Sequence, residues 1–349
     1  MKTFRLPTLL RMKPKAIERI GKYLKQEGFD KVYIFWGKGI EPLFGERVRI
    51  SCKKEGIIIL KYETVMSQNG EDCFESATSL PREVKALVAI GGGLAIDYSK
   101  YIAHLTHLPC IAVPTIISND GFCSSLSSLY IKGKRQTLKT IIPYGVVIDL
   151  EIIRNAPRIY LYSGMGDLFC KATALYDWKL AFKKSGVIYD DFAAILAQNT
   201  LDAFVFYDKK DPSDILFLRL LAGSLLMCGV MMEVAGSSRP ASGSEHLISH
   251  AYDLVATQPS LHGIQVGVAS YAVSLIQETT HQILSKAIEE CGFLDFVEAN
   301  PLSKKDFCEA IKKAPTIKAD FYSVLSEKGS VARLLKFVEK DPLLSRMVQ

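Results

Sequence analysis

The amino-acid sequence predicts two domains of different class: an α/β domain with a parallel, Rossmann-like sheet, and then an all-α domain. Over residues 1–150, short apolar runs alternate with helical patterns, as in strands that helices connect within a parallel sheet. After about residue 151 the strand patterns fade and long helical patterns follow. The length of 349 residues also exceeds the usual size of one domain, so we expect domains at 1–150 and 151–349.

The elements expected in the first domain follow from its apolar runs and its glycine and proline positions. The expected strands are 31–36, 56–62, 86–90, 110–113 and 146–150, with a hairpin formed by 127–131 and 136–141. Expected helices are 15–26, opened by Pro14, then 42–48, one within 65–84, and one that begins at Leu94. A ligand of such a sheet binds beyond the carboxyl ends of its strands.

The second domain is expected to consist of helices joined by short loops. Helical patterns cover 159–181, 192–207, 215–234, 246–255 and 263–283, and weaker ones continue to the carboxyl terminus.

Composition is that of an ordinary globular protein, with 48% hydrophobic and 23% charged residues. The formal charge of +6 is spread along the chain, and the basic cluster at 132–139 suits a solvated hairpin, so no nucleic-acid partner is expected. The amino terminus has no long apolar segment and no stretch offers 18 uncharged apolar residues, so we expect neither a signal peptide nor a membrane span. Eight cysteines without a CxxC motif indicate reduced thiols in a cytoplasmic protein.

The stretch from Ala86 to Lys100 has the strongest ligand-binding pattern. An unbroken apolar run leads into Gly91, Gly92 and Gly93, and a helical pattern follows. Three residues without side chains allow a ligand to approach the backbone, and the amino terminus of a helix suits a pyrophosphate. The motif is not GxGxxG, so a nucleotide site and a tight turn without a ligand are both open from these residues alone.

A polar loop over 113–125 follows the next strand directly. It carries Thr115, Ser118, Asn119, Asp120 and Ser124, and loops at that edge of a sheet usually face the ligand. The alternative is a polar turn that caps a helix.

Asp167 belongs to the segment SGMGD at 163–167, within an otherwise apolar helical pattern. Two glycines weaken a helix by roughly 1 kcal/mol each, so we expect the backbone to be open there for a functional reason. Asp177, ten residues later, is the weaker candidate acid and suits a structural role.

Histidines cluster in the second domain. Ser242 and Glu245 have the spacing of a capping box, which predicts a helix start near Gly243 and places His246 and His250 on one helical face. His262 follows at the start of the next helix. These residues predict a metal site drawn from Asp167, His246 and either His250 or His262, with a fourth position open for substrate.

Five ordered motifs resemble the iron-containing alcohol dehydrogenase superfamily, which has the dehydroquinate synthase-like fold. They are the GGGxxxD of 91–97, the PTxxSNDG of 114–121, the GxGD of 164–167, the GSEHxxxH of 243–250 and the LHG of 261–263. The segments GDLFCKATALYDWKLA and SRPASGSEHLISHAYD look most like the glycerol-1-phosphate dehydrogenase branch, with glycerol dehydrogenases as neighbours. The resemblance covers roughly residues 85–270.

This resemblance implies a role for each matching residue. NAD or NADP would bind at Gly92, Gly93, Leu94, Ala95, Asp97, Thr115, Ser118 and Ser124. Asp167, His246 and His262 would hold a divalent metal, usually zinc, with iron or nickel as alternatives. His250, Asp120 and Asp167 would face the substrate as catalytic residues. The resemblance thus selects His262 as the third ligand.

The implied activity is interconversion of dihydroxyacetone phosphate and sn-glycerol 1-phosphate by a homo-oligomeric enzyme with a small polyol, or its phosphate, as substrate. A glycerol dehydrogenase would use the same residues on an unphosphorylated polyol. A dehydroquinate synthase-like lyase would carry a glutamate at the metal carboxylate, where this chain has Asp167. Two departures concern specificity: Asn119 replaces a frequent histidine, and Trp36-Gly37-Lys38 has no acid for a ribose hydroxyl, which leaves NAD and NADP both open.

Overall fold

The computed structural model describes residues 4–278 and 281–349. The chain divides into two compact units, unit 1 (Met1–Ala156) and unit 2 (Pro157–Gln349). Unit 1 contains a parallel sheet with helices, and unit 2 contains helices. The predicted fold class, a parallel α/β domain followed by an all-α domain, is confirmed.

Unit 1 is built on a parallel sheet. Its strands and its hairpin are β1 (Leu9–Lys13), β2 (Lys31–Gly37), β3 (Ile58–Val65), β4 (Ala86–Gly91), β5 (Cys110–Pro114), β6 (Leu126–Ile131), β7 (Lys134–Lys139) and β8 (Gly145–Asp149). Within the described residues, β1-β8-β5-β4-β2-β3 is the order of the sheet, and each neighbouring pair is parallel. The antiparallel pair β6-β7 forms the expected hairpin.

Apolar side chains cover the sheet of unit 1 on both faces. Along β2, Val32 and Ile34 join one buried cluster, while Tyr33 and Phe35 join the other. Strands buried on both faces carry unbroken apolar runs, which is why β4 and β5 are recognisable in the sequence. The helices of unit 1 are α1 (Ile20–Gln26), α2 (Glu41–Glu55), α3 (Gly70–Thr78), α4 (Gly93–Thr106) and α5 (Leu150–Asn155).

Strand β1 has no counterpart in the sequence prediction. It is five residues long, LLRMK, and only Leu9 is fully buried. It pairs with β8 at the edge of the sheet, in the register Leu9 to Gly145. A short edge strand with two cations lacks both the apolar run and the alternation by which strands are recognised. The helix predicted for 15–26 is also shorter, since residues 17–19 form a 3₁₀ turn and α1 begins at Ile20.

Two glycines pack backbone against backbone at the carboxyl ends of β2 and β4. A Cβ on Gly91 would lie 3.0 Å from both the Cα and the N of Gly37. The direction in which successive strands are added to the sheet reverses at β2. Strand β3 pairs with one side of β2, and β4 pairs with its other side. In open α/β sheets a ligand binds at such a switch point, beyond the carboxyl ends of the strands.

Unit 2 contains the remaining helices. They are α6 (Arg158–Ser185), α7 (Asp191–Val205), α8 (Ile215–Ala235), α9 (Ser244–Val255), α10 (His262–Gln277), α11 (His281–Glu290), α12 (Phe293–Glu298), α13 (Lys304–Lys313), α14 (Ser330–Lys340) and α15 (Pro342–Met347). The single helix expected over 263–283 ends at Gln277, a new helix begins at His281, and residues 279–280 lie outside the described part of the chain.

Helix α8 is long and apolar enough to cross a membrane by length and hydropathy, the one such helix among the described residues. However, 67% of its apolar window is buried inside the protein, as in the core helix of a globular fold. Length and composition alone are weak evidence for a span.

The glycines of SGMGD do not open the backbone, so that expectation is wrong. Helix α6 runs without interruption from Arg158 to Ser185. A Cβ on Gly166 would lie 2.0 Å from the carbonyl oxygen of Gly263, and one on Gly263 would lie 1.8 Å from that of Ser163. The glycines therefore permit a close crossing of α6 and α10, which a helix pattern read along one segment does not reveal.

The expectation of mostly buried thiols is confirmed. Seven of the eight cysteines are buried, Cys308 is partly exposed, and none forms a disulfide within the described residues. Burial raises the pKa of Cys110 and of Cys291 to about 12, because an apolar environment disfavours the thiolate.

Candidate active site

The glycine turn after β4 leaves the first turn of α4 open. Gly92 is the N-cap residue, and no described side chain caps the helix there. A Cβ on Gly93 would meet no atom within 4 Å, whereas one on Gly92 would lie 2.9 Å from Ile116 Cδ1. Uncapped N–H groups with free space beside them are the arrangement in which a helix terminus binds phosphate.

The sequence-predicted cofactor residues lie at the carboxyl ends of β4 and β5, which are neighbours in the sheet. The backbone N–H of Thr115 donates to the carbonyl of Gly91 at 3.0 Å, joining the two strand ends. The residues at the start of α4 and those of the following loop are Gly92, Gly93, Leu94, Ala95, Asp97, Ser118 and Ser124. The structure therefore brings the predicted set together at one edge of unit 1.

Asp97 is held by protein atoms. Its Oδ1 forms an ion pair with Lys100 Nζ at 3.0 Å, and its Oδ2 accepts a hydrogen bond from the Ser128 N–H at 3.1 Å. Its side chain is almost buried. These contacts make Asp97 a support of the loop and of β6.

Lys100 is completely buried and was not singled out by the sequence. Its Nζ donates to the carbonyls of Gly121 at 2.7 Å, Ser124 at 3.1 Å and Leu126. A buried ammonium must be paired and hydrogen-bonded, and here one cation fixes a whole loop. The sequence feature that could have indicated this role is the position of Lys100, a single cation on an apolar helical face three residues after Asp97.

The 113–125 loop contains the polar, capping turn that was the alternative interpretation, and its contact with a ligand stays a prediction. Asn119 accepts a hydrogen bond from the Gly121 N–H at 2.9 Å and so caps the 3₁₀ turn Asp120–Phe122. Asp120 is half-buried at the first position of that turn. The structure places Asp120 in unit 1, and its substrate contact stays a prediction.

Asp167, His246 and His262 come together in unit 2, although they belong to three helices. One possible ligand atom from each residue lies within 4.8 Å of the others. Asp167 Oδ1 is 3.8 Å from His246 Nε2 and 3.9 Å from His262 Nε2. Ligands about 2.1 Å from one tetrahedral ion are separated by about 3.4 Å, so the two distances from Asp167 lie close to those of a shared site.

Hydrogen bonds determine which nitrogen of His262 carries the proton. Gln265 Nε2 donates to Asp253 Oδ1 at 3.0 Å and to the carbonyl of Ser260 at 2.8 Å, which fixes Gln265 Oε1 as an acceptor. The Ser249 hydroxyl donates to that oxygen at 2.7 Å. The Ser249 oxygen is therefore free to accept from His262 Nδ1 at 3.1 Å, and the lone pair of His262 lies on Nε2.

Glu245 performs the same function for His246. Its Oε1 accepts from the Gly243 N–H at 2.5 Å and lies 3.0 Å from His246 Nδ1, so Nδ1 carries the proton and Nε2 the lone pair. Its Oε2 accepts from Thr173 Oγ1 at 2.7 Å.

The predicted capping box is wrong in one respect: the N-cap residue is Gly243, and Ser242 does not cap the helix. Glu245 nevertheless reaches back to the N-cap N–H.

The pKa of His246 is well below its usual range. Burial is the largest cause, followed by repulsion from His250, Lys171 and Lys318. A neutral imidazole with its lone pair on Nε2 is the form that binds a metal.

His250 lies beside the other two histidines but outside this group of three. Its ring centroid is 6.3 Å from that of His246 and 5.8 Å from that of His262, and its side chain is exposed. Of the two alternatives left open by spacing, His262 is the one next to Asp167 and His246.

A second group, Cys170, Glu245 and His246, also lies within 4.8 Å. Cys170 Sγ donates to the carbonyl of Ala241 at 3.0 Å, and burial raises the pKa of the thiol well above its ordinary value. Because metals bind the thiolate, this group is the poorer donor set.

Two buried charges beside the group organise its surroundings. Lys171, which sequence reasoning missed, donates from Nζ to the Asp167 carbonyl at 2.9 Å and to Cys170 Sγ at 3.1 Å. Asp177 accepts from the N–H groups of Ser244 at 2.7 Å and Val324 at 2.8 Å. Burial, then repulsion by Glu245, raises the pKa of Asp177 to about 7. Asp177 therefore has the structural position that its sequence context favoured.

Comparisons with known proteins identify the family and the fold. A family model described as iron-containing alcohol dehydrogenase matches residues 11–157. The chain is 33% identical to a glycerol-1-phosphate dehydrogenase (NAD(P)+) of Hyperthermus butylicus, over 85% of each chain. It is 31% identical to the enzyme of that name from Methanosarcina barkeri, over 93% of each chain.

A solved glycerol dehydrogenase from Schizosaccharomyces pombe superposes with a TM-score of 0.77, covering 99% of this chain and 91% of that one. At 18% identity this similarity concerns the fold alone. The relatives above 30% identity settle the family, and the chain therefore belongs to the iron-containing alcohol dehydrogenase family, together with these glycerol-1-phosphate dehydrogenases.

Proposed function

We propose that the protein is a metal-dependent, NAD(P)-linked dehydrogenase that interconverts dihydroxyacetone phosphate and sn-glycerol 1-phosphate. The observation that carries the proposal is the group Asp167, His246 and His262, whose three possible ligand atoms lie within 4.8 Å of one another. The curated relatives named glycerol-1-phosphate dehydrogenase, at 31–33% identity, support the choice of substrate.

The cofactor is proposed to bind at unit 1. The uncapped start of α4 offers N–H groups to the pyrophosphate, and Lys100 holds the loop that carries Ser118 and Ser124. Lys38, exposed just after β2, suits a 2′-phosphate, and no acid stands there to select a ribose hydroxyl. We therefore propose that both NADH and NADPH are used.

The metal is proposed to be zinc, held by one carboxylate and two imidazoles. This donor set is typical of a catalytic zinc site with an open fourth position. Both histidines present Nε2, since Glu245 and Ser249 engage their Nδ1 atoms. When bound, the metal supplies Lewis-acid polarisation of the substrate oxygen, and the nicotinamide supplies or accepts hydride.

The residues of the chain hold the metal, contact the substrate and move the proton. Asp167 contributes a negative charge next to the two imidazoles, and its side chain is only 2% exposed. His250, exposed beside both histidines, is proposed to carry the proton between the substrate oxygen and solvent. Asp120 is proposed as a further substrate contact.

Ser249→Ala is expected to weaken metal binding by about 10- to 100-fold, because His262 Nδ1 loses the acceptor that fixes its tautomer. Metal affinity is measured by competition with a chromogenic chelator. Ser249→Thr, which keeps the hydroxyl, is the matched control and should retain much of the affinity. Equal affinity of the wild type and Ser249→Ala would contradict this positioning role.

The proposed function is tested by following NADH and NADPH oxidation with dihydroxyacetone phosphate and with dihydroxyacetone, before and after chelation and metal restoration. We expect turnover of the phosphate ester, loss on chelation and recovery with zinc. Preference for the free ketone would make the protein a glycerol dehydrogenase. Turnover of neither ketone with either cofactor would overturn the proposal.

The protein is further proposed to be a cytoplasmic homo-oligomer. The apolar side chains of Ile188, Phe192 and Ile195, at and before the start of α7, are 84%, 56% and 57% exposed. Exposed apolar groups in one segment are typical of subunit interfaces.

A further inference from the structure

Two cations of unit 2 share one aromatic ring. The Arg239 guanidinium carbon lies 3.5 Å from the centroid of Phe321, and Lys318 Nζ lies 4.7 Å from it. Arg239 Nη1 also donates to the carbonyl of Tyr322 at 2.6 Å. Arg239 is only 6% exposed, while Lys318 is accessible from solvent. The ring thus holds one buried and one accessible cation close together.

Neither cation forms a close ion pair with a carboxylate, and Asp177 acts on Arg239 only from a greater distance, where it raises the pKa of the guanidinium. Among the described residues, no acidic oxygen lies within 4.0 Å of the Arg239 or Lys318 nitrogens. Burial lowers the pKa of each, and Arg239 further lowers that of Lys318 by repulsion. Two neighbouring, partly desolvated cations that form no close ion pair repel each other, and a bound anion offsets that cost. The ligand that suits them is therefore negatively charged.

This pair lies near His246. Asp177 accepts from the N–H of Ser244, at the start of α9, and from that of Val324, so it ties the Lys318–Tyr322 segment to the helix that carries His246. The Cys170 thiol donates to Ala241, in the same 3₁₀ turn as Arg239. The charge of Lys318 is close enough to His246 to lower the pKa of that histidine.

The start of α9 itself cannot bind the anion. The N–H of Gly243 is engaged by Glu245, and that of Ser244 by Asp177. Both acceptors are carboxylate groups, and their presence at this helix terminus disfavours another anion. The anion-binding donors are therefore the guanidinium and ammonium groups next to the helix.

We propose that Arg239 and Lys318 bind the phosphate group of the substrate and so select the phosphorylated ketone over the free one. The guanidinium offers a planar fork of N–H donors to phosphate oxygens, and the ammonium adds a second charge from the accessible side. This inference rests on the proposed function and names the residues that would give it its specificity.

The first test is the ratio of kcat/KM for dihydroxyacetone phosphate to kcat/KM for dihydroxyacetone, with the metal-loaded enzyme. Lys318→Gln is expected to lower this ratio by about 10- to 100-fold, the usual effect of losing a hydrogen bond to a charged group. Lys318→Arg keeps the charge and should restore much of it. Lys328→Gln, at an exposed lysine ten residues later, is the control and should leave the ratio unchanged. An unchanged ratio in Lys318→Gln, or an equal loss for both ketones, would overturn the inference.

A second test does not depend on turnover. Binding of inorganic phosphate to the metal-loaded protein is measured by titration calorimetry, and it should weaken in Lys318→Gln but not in Lys328→Gln. Phosphate binding that depends on Lys318 in a protein inactive on both ketones would sustain the anion site and refute the proposed reaction. Turnover of the phosphate ester, together with phosphate binding that does not depend on Lys318, would support the proposed reaction and refute the anion site.

Discussion

Replacing Asp167 with asparagine is expected to lower kcat/KM of the purified enzyme by roughly 10³-fold, because the neutral amide binds the metal weakly and the Lewis acidity of that metal contributes several kcal/mol to such reactions. Asparagine has nearly the same shape, so the buried position between His246 and His262 is kept. Steady-state kinetics without added metal measure the effect, and elemental analysis of the purified protein measures the metal content.

A control separates loss of the metal from loss of the fold. Asp208→Asn changes an exposed aspartate of unit 2 and should leave both kinetics and metal content as in the wild type. Asp167→Asn should keep the wild-type melting curve measured without metal. Full activity and full metal content in Asp167→Asn would remove Asp167 from the site.

Gly166→Ala is expected to destabilise unit 2 by about 3 kcal/mol or more, at the upper end of the cost of overpacking a core. The new methyl group would lie 2.0 Å from the carbonyl oxygen of Gly263 and 3.0 Å from Phe293 Cε2, so α6 and α10 must separate. Chemical denaturation followed by far-ultraviolet circular dichroism measures the shift of the midpoint.

Gly45→Ala is the matched control, since it is also a glycine within a helix. Its Cβ would meet the side chains of Glu41 and Arg49, which can move aside. We expect it to be neutral or to stabilise by up to about 1 kcal/mol, because alanine is the better helix former. If Gly166→Ala were as well tolerated, the close helix crossing would not be the reason for that glycine.

Much of the fold follows from local patterns in the sequence. Strands β4 and β5 are buried on both faces, so their apolar runs stand out, and α8 is recognisable as a long, mostly apolar segment. The two histidines next to Asp167 could also be predicted from the sequence, because both lie at helix starts. His246 is in the first turn of α9, and His262 is the first residue of α10. These features depend on neighbours in sequence, which is what periodicity measures.

The missed features depend on partners far away in the chain. The glycine at 166 is explained by Gly263, and the buried Lys100 by three carbonyls more than 20 residues later. A serine such as Ser249 becomes recognisable as a support of His262 only when the two are seen 3.1 Å apart. Local propensity carries no information about such contacts, so these assignments required coordinates.

The pairing of β1 with β8 determines the order in which unit 1 can be completed during synthesis. Leu9 pairs with Gly145, so the first strand to leave the ribosome cannot pair with its neighbour until the last strand of the sheet has been made. Until then β1 and the near edge of β5 have unpaired backbone groups, and such edges promote association between chains. Newly made chains that stop short of residue 145 should therefore depend most on chaperones.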